Sequence, residues 1–63
     1  MTFDEFVELA EKSPFVWEIF GEFNTLMSEG YIAEDAMGAA LEYGMRLEED
    51  ALEYERKLQN EVK

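Results

Sequence analysis

The chain has no cysteine, no histidine, one proline and only five basic residues. Without cysteine there is no disulfide and no thiolate metal site. Without histidine it lacks the commonest metal ligand and the commonest general base. The scarcity of Lys and Arg argues against direct binding to nucleic acid, whose phosphates need cations, and against an anionic membrane surface. No apolar run approaches transmembrane length, and no basic segment opens a signal peptide. These absences predict a cytoplasmic protein, in the host cytoplasm if the source is a phage.

What is present is acid and grease. Sixteen acids against five bases give a formal charge of −11 on 63 residues. Such a charge suits solubility and a basic protein partner. Apolar residues make up 48% of the chain, too many for a disordered acidic tail. One small domain over residues 1–63 is expected. A chain of this length buries only about 60% of its unfolded surface and is marginal alone. With disulfides excluded, association with another chain is the stabiliser that remains.

Catalytic signatures are missing. There is no nucleophile elbow and no glycine-rich phosphate loop. Glu48, Glu49, Asp50, Glu53 and Glu55 form the densest acidic cluster. Successive helical positions point in different directions, and no calcium-loop or Glu-x-x-His pattern accompanies them. A solvated face is the simpler reading. The sequence therefore predicts no enzyme, no cofactor and no metal.

An all-α fold follows from the periodicity, with helices over about 3–12, 14–29 and 33–62. Thr2 and Glu5 have capping-box spacing, and Phe3, Phe6, Val7 and Ala10 make one apolar face. Ser13-Pro14 predicts a break, with Ser13 as N-cap and Pro14 opening the second helix. Val16, Ile19, Phe20, Phe23, Leu26 and Met27 form its stripe, with Phe15 and Trp17 on the flanks. Gly30 suits a left-handed C-terminal stop. The third helix has no capping oxygen at Tyr31, Ile32 or Ala33, so residues 28–33 are expected to be the loosest connection. Gly38 and Gly44 are read as sites of close helix packing.

The third helix organises the rest. Its 30 or so residues would run about 45 Å, whereas the second helix spans about 24 Å. A heptad fits from Met37 onward: Met37, Gly44, Ala51 and Leu58 at a, Ala40, Leu47, Tyr54 and Glu61 at d, with Val62 beside the last. Glu42–Arg46 and Glu53–Lys57 are i,i+4 pairs in the favourable order. Two short helices should cover its first half and leave a narrow seam beyond. A second copy would shelter that seam as an antiparallel homodimer. Centred on Glu49, the pairing sets Gly44 against Tyr54, Ala51 against Leu47 and Ala40 against Leu58, small against large in each layer. The predicted dimer interface is Met37, Ala40, Gly44, Leu47, Ala51, Tyr54, Leu58 and Val62.

Three functions fit. The first is a non-catalytic interaction module that pairs with itself and modulates another protein. The second is a nucleic-acid-mimic inhibitor of a basic DNA- or RNA-handling defence enzyme. Acidic helical miniproteins of phages and mobile elements, of anti-restriction or anti-CRISPR type, are similar to this chain in size, charge and lack of catalytic residues, though no motif links it to a specific family. The third is a small structural or assembly subunit. Candidate partner contacts are Trp17, as an aromatic anchor, and the acids Asp35, Glu42, Glu49 and Glu53.

Overall fold

The chain folds as α1 (Phe3–Glu11), α2 (Val16–Ser28) and α3 (Ala33–Glu61) in a computed structural model that describes residues 1–61, with side chains through Asn60. No strand occurs among the described residues. The long C-terminal helix packs against the two shorter ones, as the periodicity predicts.

The first helix opens on a complete capping box. Thr2 Oγ1 accepts from the Glu5 N–H at 3.2 Å, and the Glu5 carboxylate accepts from the Thr2 N–H at 3.3 Å. Two N–H groups that the helix cannot pair internally are thereby satisfied. The face so positioned puts Phe6 and Ala10 wholly inside, with Val7 half-buried.

The α1–α2 junction differs from the sequence expectation. Helix α2 begins at Val16, two residues after Pro14. The Phe15 N–H donates to Ser13 Oγ at 3.1 Å, as a capped helix would require, but Phe15 itself has φ −108° and ψ 37° and is not helical. Pro14 has no N–H, so Phe15 offers the first donor that Ser13 can reach. The Ser13 hydroxyl also donates to Glu48 Oε1 at 2.8 Å, across 35 positions of sequence. Ser13 thus closes a turn and ties it to α3 instead of opening a helix.

The α2–α3 connection is hydrogen-bonded shut where the loosest segment was expected. Gly30, at φ 97°, turns the chain into the left-handed region. Its N–H donates to Met27 O and the Tyr31 N–H donates to Leu26 O, both at 3.1 Å. This double closure is the Schellman motif, and glycine occupies the position that penalises any other residue. Helix α3 does start without a side-chain cap of its own: the Ala36 N–H donates to Ile32 O at 2.9 Å.

Phe6, Ala10, Ile19, Met37 and Ala40 form the core, with Val7, Val16, Phe20, Phe23 and Leu41 packed around them. Phe6 is its centre. Its ring lies 5.0 Å from Phe23, 5.9 Å from Phe20 and 6.0 Å from Phe3, centroid to centroid, in tilted or edge arrangements that aromatic quadrupoles favour. At Gly44 α3 leaves room for a side chain of α2. A Cβ there would stand 2.5 Å from Ile19 Cδ1 and 2.6 Å from Cγ1. Gly38, expected to serve the same purpose, faces open space and has no packing role.

All of this happens on the first half of α3. From Ala51 to Asn60 every residue is exposed. The molecule measures 48 × 22 × 15 Å, an elongated body because one helix outruns its cover.

Candidate interaction surface

Where α1 and α2 end on α3 decides which apolar residues are free. The α1–α2 turn reaches α3 at Glu48, through the Ser13 hydrogen bond. Beyond it Ala51, Tyr54 and Leu58 recur at heptad spacing, with Tyr54 65% and Leu58 43% exposed. Leu47 is half-buried at the edge of the covered region. This extension is exposed from Ala51 to Asn60 and adds nothing to the buried core, and its isolated length is near the limit at which helices are stable in water.

The expected dimer seam therefore divides in two. Met37 and Ala40 are buried in the chain's own core, and Gly44 is covered by Ile19. Those three residues face α1 and α2, so they are not free for a second chain. The same heptad stripe of α3 is buried at Met37, Ala40 and Gly44 and exposed from Ala51 onward. The pairing centred on Glu49 needs Gly44 and Ala40 open, and would have to expel Ile19. Leu47, Ala51, Tyr54 and Leu58 are the seam residues left outside the core. Val62 lies outside the described residues.

A second apolar stripe runs beside the seam. Leu41, Met45 and Leu52 follow one another along α3 and line two shallow grooves against the α1–α2 turn. One holds Leu9, Ser13, Ile19, Leu41, Met45 and Glu48; the next holds Pro14, Phe15, Glu48, Ala51, Leu52 and Glu55. Glu48 borders both. On sequence it reads as an interruption of the stripe. Its partner is the Ser13 hydroxyl, 35 positions away, and no local pattern in the sequence marks that contact.

The candidate partner contacts do not converge. Trp17 projects from the first turn of α2, 79% exposed, with its ring edge-on to Phe20 at 6.3 Å. Asp35, Glu42 and Glu49 recur every heptad along the exposed side of α3, and Glu53 lies beside them. Glu42 accepts a salt bridge from Arg46 at 3.5 Å, the expected i,i+4 pair. Among the described residues the Glu53–Lys57 pair does not close within salt-bridge distance. No group of three or more acids among the described residues is positioned to hold a metal ion. None of the helices described is long and apolar enough to cross a membrane.

No protein-family model matches the chain, and no curated protein or solved structure is significantly similar to it.

Proposed function

We propose that this chain is a non-catalytic, strongly acidic helical interaction module that pairs with a second copy of itself and modulates another protein. The free end of α3 carries this reading. Tyr54 and Leu58 stand exposed on one stripe of α3, beyond the part that α1 and α2 cover. Burying that stripe against a second copy removes apolar surface from water at about 25 cal/mol per Å² and supplies the tertiary contacts the extension lacks. The seam is short, so a reversible, concentration-dependent dimer is expected rather than an obligate one. Sedimentation velocity across micromolar concentrations tests this. The unaltered chain should shift from monomer to dimer. Leu58→Glu should stay monomeric while keeping the helical circular dichroism of the core. A chain that is monomeric throughout would sink the proposal.

The acidic stripe supports a second reading. Asp35, Glu42 and Glu49 lie exposed along one side of α3, away from the seam. Repeated carboxylates on a rigid rod can occupy a cleft built for phosphates, which is the nucleic-acid-mimic inhibitor of a basic DNA- or RNA-handling enzyme. The two associations respond to salt in opposite directions. Screening weakens binding to a basic partner and strengthens pairing between two chains of −11 each. A partner whose binding survives high salt and is unaffected by competing duplex DNA rules out mimicry. Dependence on Trp17 would instead indicate docking through the aromatic flank. Assembly far beyond the dimer would indicate a structural subunit.

A further inference from the structure

Resting on the self-association proposed above, we infer that the second copy docks antiparallel in one register, centred between Leu52 and Glu53. In this register Leu47 faces the second copy's Leu58, and Ala51 faces its Tyr54. Three observations select it. Ile19 closes the seam at Gly44, so the apolar layers of a pair must lie below that level, and only the end of the second copy's α3 at Glu61 comes alongside it. Every seam residue from Leu47 to Leu58 is then covered by another seam residue, and no apolar layer draws on the residues already buried in the core. The sequence-derived pairing centred on Glu49 slides by one heptad, which keeps the alternation of a against d that antiparallel helices require.

Volume and charge agree with the placement. Ala51 is small and Tyr54 is large, so they fill one layer between them, twice by symmetry. The two leucines close the layers on either side. A parallel pair would stack Tyr54 on Tyr54 and leave Ala51 opposite Ala51. On one flank of the antiparallel pair, Asp50 comes opposite Lys57 of the second copy, again twice. On the other flank Glu48 comes opposite Glu55. That contact is softened because the Glu48 carboxylate is drawn back onto Ser13 at 2.8 Å. Parallel pairing would instead set Asp50 beside Glu55. A slide one heptad further would set Tyr54 against Leu58, large against large, and Ala51 against Glu61.

Spin labels at exposed positions read the register directly, and the absence of native cysteine makes each label unique. Glu42→Cys, Glu49→Cys and Arg56→Cys all lie on the outer face of α3, away from the seam. In the inferred register, labels at 49 and 56 are each offset along the axis by about 10 Å from their symmetry mates, and labels at 42 by about 31 Å. Pulsed dipolar measurements should therefore give equal distances for 49 and 56 and a much longer one for 42. Pairing centred on Glu49 would give its shortest distance at 49, and equal longer ones at 42 and 56. Parallel pairing would give three similar short distances. Either pattern overturns the register while leaving self-association standing. Monomers at all concentrations overturn both. A charge exchange provides a second check. Asp50→Lys should weaken the dimer several-fold, and adding Lys57→Asp should restore it. Tightening by Asp50→Lys alone would contradict the inference, because it would place Asp50 beside another carboxylate, Glu55 in a parallel pair or Asp50 itself in the pair centred on Glu49.

Discussion

Ile19 and Gly44 fit each other as a methyl-rich side chain fits a gap: an added Cβ at 44 would come within 2.6 Å of two Ile19 carbons. This contact sets how close α2 lies to α3, and one turn further on the Ser13–Glu48 hydrogen bond marks where the covered part of α3 stops. Four expectations about the helix pair follow from such spatial facts, two concerning glycine, one the α1–α2 turn, and one the uncovered end.

Gly44→Ala should destabilise the protein, whereas Gly38→Ala should stabilise it. Both changes gain about 1 kcal/mol of helix propensity. At 44 the new methyl must displace Ile19, which is buried and branched at Cβ, and overpacking of this kind costs about 1–3 kcal/mol. At 38 the methyl meets nothing. Thermal melts at one fixed protein concentration should show Tm falling for the first and rising for the second. Equal shifts in the same direction would mean that the close contact is not energetically real.

Ser13→Ala should cost about 1–2 kcal/mol, because it removes one acceptor from the Phe15 N–H and one donor from Glu48 together. Glu48→Gln keeps an acceptor for the Ser13 hydroxyl and should cost less. If Ser13→Ala melts like the unaltered chain, the hydroxyl is not holding the turn to α3.

Amide exchange should divide α3 at about Asp50. In dilute, monomeric protein the N–H groups of residues 51–60 should exchange far faster than those of 36–44, since exposed helical hydrogen bonds open without the core opening. Raising the concentration should protect the outer segment selectively. Uniform protection along α3 in the monomer would contradict the division.

Much of the fold is legible in the sequence because its signals are local and mutually consistent. Thr2 with Glu5, Gly30 at the end of α2, and the apolar spacing around Phe6 and Ile19 each specify their own neighbourhood, and the three helices follow. The α2 start is not legible, because Ser13 answers to Glu48, a residue 35 positions away, and no local rule contains that contact. The seam is half legible. Met37, Ala40 and Gly44 have the same heptad spacing as Ala51, Tyr54 and Leu58, and periodicity records that a stripe is buried without recording against what. Only the length and placement of α2 separate the first three from the rest. Gly38 and Gly44 look alike in sequence for the same reason: a missing side chain marks a close approach only if another helix is there to approach.

The bare stretch after Asp50 has a consequence for how such a chain can change. Residues 51–60 are exposed throughout and supply none of the buried core. Substitutions there change the open surface without being vetoed by the packing of the core. Packed and open surface occupy consecutive halves of one rod, and the open half can drift while the packed half is preserved.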